Sequence, residues 1–412
     1  MHINVPIREP FYPVADEKIT YDRNVKLVER LATEPTLSTD TWHRLQNEFE
    51  NASRVLIAVG QLPPASALWT VLKEFSEEMG VPVLGDIISN IPVNEAFVRQ
   101  HDVFLRGKHA ELLTALAPDL FITVGDSFIY KNFKLFLRKH SPARLWHVKT
   151  TEQLIDTFQT LTTQIPVEPL YFFQKLLEDL DYQQFVQNDS DDDGRGAFRE
   201  AWLQADRQGK RSVHQFLRQE PRWNEFALVS NVLENLPENS VLHLANSMPV
   251  RYANLLGLSR PAEVFANRGT SGIDGCTSTA LGAALMTDKP VFIITGDVAF
   301  FYDRNAFWHP HIPQNLRVVL FNNAGGNIFR LIDGPSAQPE LEQYFETRHS
   351  TTARHTAEDA GLGYYSLKED EDFSAVWHEF IAPNGQAKLL EIFTDPVLNG
   401  EVFEAYRQMG TA

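Results

Sequence analysis

Hydrophobic and polar positions alternate in blocks along the first part of the chain. Short apolar runs, rich in β-branched and aromatic residues, predict buried strands at 55–59, 81–84, 120–124 and 145–148. Stretches with helical spacing lie between these runs and predict helices at 66–79 and 94–100. Strands that alternate with helices in this way favour βαβ units and a parallel sheet.

A second block of the same kind begins near residue 220. Its apolar runs predict strands at 241–245, 291–295, 317–321 and 388–393, with helices at 223–236, 274–286 and 371–382. The connector between the blocks, about 165–215, has helical ends and a polar middle around NDSDDDGRG. We therefore predict an α/β fold with two doubly wound domains whose sheets are mainly parallel.

Polar residues directly follow two strands of the second block. Gly296 and Asp297 end one strand, and the segment VVLFNNAGGNIF carries the next strand into Asn322 and Asn323. One βαβ crossover fits between Asp297 and Asn323, so neighbouring strands can bring both tips to the carboxyl edge of the sheet, where such sheets bind ligands. A carboxylate, an amide oxygen and the Gly325 carbonyl are hard oxygen ligands, which suit Mg²⁺ and leave places for water and phosphates. Each piece alone is also common turn chemistry, but the pair predicts a metal–diphosphate site.

Composition and net charge limit which kinds of binding partner the protein can have. The 412-residue chain has a formal net charge of −17 at pH 7, which disfavours nucleic acid and anionic membranes as partners. Its single cysteine, Cys276, excludes a disulfide framework within one chain, and no apolar run reaches the length of a membrane span. We expect a soluble, cytoplasmic protein in which any anionic substrate needs a local basic pocket.

Several segments of the second block resemble those of thiamine diphosphate-dependent enzymes. The Asp297 and Asn323 pair, at this spacing, resembles the cofactor motif of pyruvate decarboxylase-like and acetohydroxyacid synthase-like enzymes. The neighbouring segments NSMPVR (246–251), NRGTSGIDG (267–275), GDVAFFYDRNAF (296–307) and NNAGGNIF (322–329) resemble the 2-succinyl-5-enolpyruvyl-6-hydroxy-3-cyclohexene-1-carboxylate synthase family of menaquinone biosynthesis. GDSFIYKNF (125–133) adds a weaker similarity in the first block. The resemblance implies a transferase that uses thiamine diphosphate with Mg²⁺, or with Mn²⁺ in its place.

The resemblance also implies roles for individual residues. The cation ligands would be Asp297, the Asn323 side chain and the Gly325 carbonyl, with the adjacent Asn322 as an alternative to Asn323. The implied cofactor contacts are Ser247, Ile273, Gly296, Val298, Ile328 and Phe329. Among these, Ser247 and the Val298 amide would touch the diphosphate, and Ile273 would form an apolar wedge under the cofactor. Ile328 and Phe329 would line the thiazolium pocket, although apolar residues near strand ends are usually plain core.

Substrate anchors follow from the same resemblance. The implied substrates are 2-oxoglutarate, which is decarboxylated, and isochorismate, to which the remaining carbon unit is added; both are dianions. Arg251 and Arg268 are the predicted anchors, because a guanidinium binds a carboxylate bidentately and fixes its orientation. A structural ion pair is the alternative for each. Lys131 is a third candidate, with Lys134 and Arg138 close by on the same predicted helix.

Family members have three α/β domains, and this chain resembles the middle and C-terminal ones. We expect residues 1–20 to be a remnant or linker of an N-terminal domain and 21–170 to be the middle domain. A helical, acidic linker (171–215) and a diphosphate- and Mg²⁺-binding domain (216–412) follow. The glutamate that activates the cofactor belongs to the N-terminal domain in this family, so no catalytic residue is assigned here. We expect the isolated chain to be inactive, and the family to form homo-oligomers, either dimers or tetramers.

Two alternatives stay open at this point. The acidic stretch Asp189–Glu200 fits the spacing of an EF-hand calcium loop, but a solvated linker explains the same residues. The chain could also be a non-catalytic α/β fragment or partner chain, or another thiamine diphosphate-dependent 2-oxoacid decarboxylase or carboligase.

Overall fold

The first sheet is built from short buried strands in the region of the first sequence block. The computed structural model describes residues 35–64, 66–107, 109–129, 131–151, 153–180, 194–332 and 334–409, with a few isolated positions before residue 35. The strands of this sheet are β1 (Val55–Val59), β2 (Val83–Gly85), β3 (Leu120–Val124), β4 (Arg144–Val148) and β5 (Thr163–Ile165). They pair in the order β2-β1-β3-β4-β5, and every pair is parallel.

The second sheet has six parallel strands. They are β6 (Val241–Leu244), β7 (Glu263–Ala266), β8 (Val291–Gly296), β9 (Leu316–Asn322), β10 (Gly363–Leu367) and β11 (Lys388–Phe393). Their order is β10-β11-β9-β8-β6-β7, so the connections run outward in opposite directions from the β6–β8 pair. Two parallel sheets of this kind confirm the predicted fold class of doubly wound α/β domains.

Helices cover these sheets. Those that accompany the first sheet are α1 (Thr39–Glu50), α2 (Leu68–Met79), α3 (His101–Leu105), α4 (Ala110–Ala115), α5 (Lys131–Lys139) and α6 (Pro169–Asp179). The others are α7 (Gly194–Gln219), α8 (Glu225–Glu234), α9 (Met248–Leu256), α10 (Cys276–Ala284), α11 (Asp297–Tyr302), α12 (Ile328–Leu331), α13 (Arg354–Asp359), α14 (Phe373–Ile381) and α15 (Pro396–Met409). Because consecutive parallel strands need a crossover, a helix or long connection lies between most of them.

Helix α1 shows how local sequence sets these elements. The Ser38 side chain accepts a hydrogen bond from the Thr41 amide and so satisfies one of the free donors at the start of the helix. Trp42, Leu45 and Phe49 then recur on one face and are all buried. The cap and the apolar spacing therefore determine both where the helix begins and which face packs on the sheet.

The helix predicted at 94–100 does not form. Val98 instead makes an isolated parallel bridge with Leu84, and its amide donates to the Val83 carbonyl at 2.9 Å. The Asn94 side chain accepts from the Ala96 amide, which stabilises a turn rather than a helix. The chain becomes helical only at His101, where α3 begins.

One apolar cluster spans the two sheets. It contains Leu56 of β1 and Leu242 of β6, together with side chains of α7. Trp202 of α7 is fully buried and packs edge-on against Phe104 and Phe136. The long helix after the acidic connector therefore packs its buried face into the core that both sheets share.

Part of the predicted connector lies outside the described residues. Its helical ends are observed as α6 and α7, but residues 181–193, which include the first aspartates of the candidate calcium loop, are not described. Gly194 and Glu200 of that loop lie in α7, where Glu200 forms an ion pair with Arg207.

The chain divides into two units, Met1–Glu34 and Pro35–Ala412, and the second contains both sheets. The predicted boundaries at 20, 170 and 215 stay predictions, although each sheet falls within one of the two expected domains. Within the part of the chain that the structure describes, no helix is long and apolar enough to cross a membrane.

Candidate functional site

Three adjacent strand ends meet at the carboxyl edge of the second sheet. β6 runs into Asn246 and Ser247, β8 into Asp297, and β9 into Asn323. These strands are neighbours in the order β6-β8-β9, so their tips lie side by side. This is also where the connections diverge, the position at which open α/β sheets bind ligands.

A cleft of about 750 Å³ opens at these tips. The residues predicted to hold the cation or the cofactor all line it: Asp297, Asn323, Gly325, Ser247, Ile273, Gly296, Val298, Ile328 and Phe329. The tertiary structure therefore gathers into one cavity positions that come from four separate sequence segments. The individual roles of these residues stay predictions.

Asp297 is buried at the first position of α11. Its Oδ1 accepts from the Val298 amide at 2.7 Å, and its Oδ2 accepts from the Gly325 amide at 2.9 Å. The same Oδ2 lies 3.3 Å from His349 Nε2. Because His349 Nδ1 accepts from the Thr351 amide, the neutral ring carries its proton on Nε2, the nitrogen that lies near Asp297. The interaction with the Asp297 carboxylate raises the pKa of His349.

Asn323 is buried and its amide is only half satisfied. Nδ2 donates to Glu225 Oε1 at 2.6 Å, whereas the buried Oδ1 has no hydrogen-bond partner among the described residues. An unpaired buried acceptor is costly, by roughly 1–3 kcal/mol. A hard cation between Asn323 Oδ1 and the Asp297 carboxylate would remove that cost, so the donor set fits Mg²⁺.

Asn322, the alternative ligand, lies on the opposite side of the strand. Its Nδ2 donates to Glu391 Oε1 at 2.7 Å and to the Thr351 carbonyl at 3.0 Å. Its Oδ1 accepts from the Ala324 amide at 3.1 Å. Both ends of this amide are therefore used within the protein, and the geometry favours Asn323 as the residue that is free to bind a ligand.

The elbow after β9 approaches a neighbouring segment very closely. A Cβ at Gly325 would lie 2.6 Å from the Glu346 carbonyl oxygen, and the Gly326 amide donates to that oxygen at 2.7 Å. Arg330 holds the Glu346 carboxylate with two hydrogen bonds, at 2.8 and 2.9 Å. Position 325 therefore requires glycine, because the Cβ of any other residue would collide with the Glu346 carbonyl and displace the elbow.

Ser247 has a strained backbone at the mouth of the cleft. Its φ is +73°, which is uncommon for a residue other than glycine and is often found at functional sites. The conformation lets β6 turn directly into α9, and Arg251 Nη1 donates back to the Ser247 carbonyl at 2.7 Å. This turn positions Arg251 one helical turn from the cleft.

The predicted substrate anchors differ in their surroundings. Arg268 is half-buried, and its Nη1 donates to Asn246 Oδ1 at 2.6 Å. Burial lowers the pKa of Arg268, and Asp86 acts in the opposite direction. Partial burial also lowers the pKa of Arg251, and the nearby Arg268 guanidinium lowers it further. The two arginines are therefore neighbours, as a dianion site requires, but neither lines the 750 Å³ cleft itself.

Lys131 is exposed at the start of α5 and does not line the cleft. Lys134, on the same helix, interacts with Arg268: burial lowers the pKa of Lys134, Asp86 acts in the opposite direction, and Arg268 lowers it further. Lys134 Nζ donates to the Phe128 carbonyl at 2.9 Å. The role predicted for Lys131 stays a prediction, and Lys134 is the lysine of this helix that interacts with Arg268.

Asn327 and Glu225 are polar residues of the cleft that had no assigned role at the level of sequence. Asn327 is buried, yet neither end of its amide has a partner among the described residues. Glu225, at the first position of α8, is also buried in the cleft wall. Burial raises the pKa of Glu225 to about 7. The hydrogen bond from Asn323 acts in the opposite direction but is the smaller effect. Asn327 directly follows the glycine pair and could have been noticed; nothing in the local sequence marks Glu225.

Comparison with known proteins tests the predicted family relationship. A family model described as "Middle domain of thiamine pyrophosphate" matches residues 22–244. The chain is 40% identical over 410 residues to the 2-succinyl-5-enolpyruvyl-6-hydroxy-3-cyclohexene-1-carboxylate synthase of Cytophaga hutchinsonii, covering 99% of this chain and 70% of that protein. The synthases of the same name from Flavobacterium johnsoniae and Bacteroides fragilis are 32% and 30% identical, each over 98% of this chain and 70% of the relative.

These similarities extend through both sheets and through every segment that carries the sequence resemblance. They confirm the predicted relationship and its thiamine diphosphate-dependent chemistry. The chain therefore belongs to the 2-succinyl-5-enolpyruvyl-6-hydroxy-3-cyclohexene-1-carboxylate synthase family of thiamine diphosphate-dependent enzymes.

Proposed function

We propose that this chain carries the cation- and diphosphate-binding part of the active site of a carboligase. The reaction is the decarboxylation of 2-oxoglutarate and the addition of the remaining carbon unit to isochorismate. The observation that carries the proposal is the unpartnered Asn323 Oδ1, buried in the same cleft as the Asp297 carboxylate. The names of the relatives support the choice of reaction.

Three oxygen donors would hold the cation: Asp297, Asn323 Oδ1 and the Gly325 carbonyl. Mg²⁺ suits them because it prefers oxygen ligands and keeps several positions for water and phosphate; Mn²⁺ suits the same set. Among the described residues, no group of three or more His, Cys, Asp or Glu side chains could hold a metal ion. A cation at this site therefore depends on the amide and the main-chain carbonyl as well as on Asp297.

The remaining cleft residues would bind and orient the cofactor. Ser247 and the Val298 amide would contact the diphosphate, while Ile273, Ile328 and Phe329 would provide an apolar surface from which water is excluded. Asn327 has both a free donor and a free acceptor to offer to the same ligand. Thiamine diphosphate, when bound, supplies the electron sink that decarboxylation of a 2-oxoacid requires.

Arg251 and Arg268 would anchor the carboxylates of the substrates. Each guanidinium can pair bidentately with a carboxylate, and two neighbouring cations relieve their mutual repulsion when a dianion binds between them. The acidic background of the chain makes this local positive charge the attraction that draws the substrates to the site. Lys131 is kept as a third, more remote candidate.

Activity is expected to need more than the 412 residues of this chain. The aligned region covers 70% of each of the three relatives. In addition, none of the residues of this chain has been proposed as the glutamate that activates the cofactor. A polypeptide of residues 1–412 alone should bind the cofactor weakly and turn over neither substrate. We expect the working enzyme to be a cytoplasmic homo-oligomer, a dimer or a tetramer.

The first test measures binding rather than turnover. Free Mn²⁺ gives a sharp electron paramagnetic resonance signal that is lost on binding, so titration with thiamine diphosphate present reports the site directly. Asp297→Asn should weaken Mn²⁺ binding at least about tenfold, because it removes the charged ligand. Asp126→Asn, which changes an acidic residue paired with Lys149 on the first sheet domain, is the matched control. Equal binding by wild type and Asp297→Asn would refute the site.

The second test addresses the reaction. The chain is mixed with the separately expressed N-terminal part of the Cytophaga hutchinsonii relative, and consumption of both substrates is followed. Product that depends on isochorismate supports the proposal, whereas release of an aldehyde from 2-oxoglutarate alone would indicate a simple decarboxylase. Robust turnover by the chain alone would overturn the expectation that its activating glutamate lies elsewhere, and absence of any cofactor binding would favour a non-catalytic partner chain.

A further inference from the structure

We infer that Glu225 is a positioning residue that holds the Asn323 amide with its oxygen toward the cation. The inference rests on the proposed function, since it concerns the same cation site. It adds a residue that lies 98 positions earlier in the sequence and outside every motif of the cleft.

The oxygen and the nitrogen of a side-chain amide have nearly the same shape, but the oxygen accepts hydrogen bonds and the nitrogen donates them. An asparagine therefore needs a neighbouring group that determines which of the two faces a ligand. Here Nδ2 of Asn323 donates to Glu225 Oε1 at 2.6 Å. If the amide turned over, Oδ1 would lie against Glu225 Oε1, and two acceptors would face each other in a buried site. The donor Nδ2 would then point at the cation position, where it can only repel.

A directed chain of hydrogen bonds fixes Glu225 in this acceptor role. Asn399 Nδ2 donates to Thr394 Oγ1 at 3.1 Å, and the Thr394 hydroxyl donates onward to Glu225 Oε1 at 3.1 Å. Because Oε1 receives two donors, it remains an acceptor whether or not Oε2 carries a proton. The role of Glu225 is therefore set by geometry and does not depend on its charge.

The backbone of Glu225 is held as firmly as its side chain. Its amide donates to Asn399 Oδ1 at 2.9 Å, and Asn224 caps α8 by accepting from the Ala227 amide at 3.0 Å. Glu225 is 2% exposed, so water does not compete for these bonds. The end of β11, the start of α15 and the start of α8 thus converge on a single ligand of the cation site.

The test compares Mn²⁺ affinity, with thiamine diphosphate present, in variants that keep or remove the acceptor. Glu225→Met removes it at similar volume and should weaken binding about 10- to 100-fold, the usual cost of losing a residue that orients a metal ligand. Glu225→Gln keeps an acceptor oxygen while removing the charge, and should stay within about threefold of wild type. A loss with Gln as large as with Met would contradict a role based on orientation.

The Asn323→Asp variant supplies the decisive background. A carboxylate presents an oxygen whichever way it turns, so in this background Glu225→Met should recover affinity to within about threefold of Glu225→Gln. A purely structural role for Glu225 would leave the Met penalty the same with either residue at position 323, and that result would overturn the inference. If Glu225→Met does not give the wild-type circular dichroism spectrum, Glu225→Leu replaces it with the same criteria.

Failure of the inference and failure of the proposed function have different signatures. If wild type binds no Mn²⁺ with thiamine diphosphate present, the cation site itself is wrong. If wild type binds Mn²⁺ and Glu225→Met binds it equally well, the site stands and Glu225 does not orient Asn323.

Discussion

The Gly325 main-chain amide donates to Asp297 Oδ2 at 2.9 Å across 28 residues of sequence. This bond ties the elbow after β9 to the tip of β8, and it brings the Gly325 peptide group alongside the carboxylate. Because Asp297 Oδ1 is held by the Val298 amide, the carboxylate has little freedom to rotate. The proposed cation site would thus be largely preorganised by main-chain donors, which cost no side-chain entropy to position.

Replacing the two adjacent asparagines should separate stability from binding. Asn322→Ala removes one donor from the buried Glu391 carboxylate, which keeps those of the Ala353 amide and the Tyr364 hydroxyl, and should lower the free energy of unfolding by about 1–3 kcal/mol. Asn323→Ala removes a proposed ligand and should weaken Mn²⁺ binding at least about tenfold. Urea denaturation and Mn²⁺ titration of both variants check this. The prediction fails if Asn322→Ala is the variant that loses Mn²⁺ while keeping its stability.

Gly325→Ala should displace the elbow. The added Cβ would lie 2.6 Å from the Glu346 carbonyl oxygen, a main-chain atom that cannot move aside easily. We expect a lower melting temperature and at least about tenfold weaker Mn²⁺ binding, because the Gly325 carbonyl leaves its position. Gly282→Ala is the matched control: nothing lies within 4 Å of its Cβ, and in a helix alanine should stabilise by up to about 1 kcal/mol. Wild-type binding by Gly325→Ala would show that the close approach is not needed.

The buried Asp86 should make stability depend on pH. Burial raises its pKa from 3.8 to about 7, while its neighbours include Lys134, Asp102 and His101, whose own pKa burial lowers to about 3. The folded state therefore holds this proton more tightly than the unfolded chain does. The contribution of this proton to the free energy of unfolding is fully present below about pH 4. It is lost as the pH rises through about 7, at up to about 1.4 kcal/mol per pH unit.

Asp86→Asn cannot ionise, so this part of the pH dependence should disappear. The free energy of unfolding of the variant minus that of the wild type should be larger at pH 8 than at pH 5. The reason is that the folded wild type bears the cost of the buried charge only at the higher pH. Denaturant unfolding at both values measures the difference. A wild-type and variant pair with parallel pH profiles would show that Asp86 is not the group responsible.

Arg268→Gln should impair substrate binding more than catalysis. Loss of a charged hydrogen-bond donor costs roughly 1.5–3 kcal/mol, which corresponds to an increase of about 10- to 100-fold in KM for one of the two dianions. Steady-state kinetics of the chain combined with the N-terminal part of a relative measure the effect. Arg44→Gln, which breaks only a surface pair with Glu48, is the control. Unchanged KM values for both substrates would exclude Arg268 as an anchor.

Much of the fold could be predicted because buried parallel strands are continuous apolar runs. The strands at 55–59, 120–124 and 388–393 are observed at those bounds, since every one of their residues but Phe393 is buried and their ends are marked by a polar residue or glycine. β5, β7 and β10 were missed because they are partly exposed edge strands that lack such a run. The failed helix at 94–100 has a local spacing that suits a helix, but in the fold Val98 bridges to Leu84 at the edge of β2.

By itself the sequence determined which residues follow the strands, and so the chemistry gathered at the sheet edge: Asp297, Asn323 and the glycines of the elbow. The position of these residues directly after apolar runs and the length of the intervening crossover suffice for that, because both are local properties of the chain. Only the tertiary structure decided that Asn323 rather than Asn322 faces the cleft with a free oxygen, and that Glu225 lies against it. Those facts depend on which side of the β9 end faces the cleft and on contacts between residues distant in sequence, and local patterns encode neither.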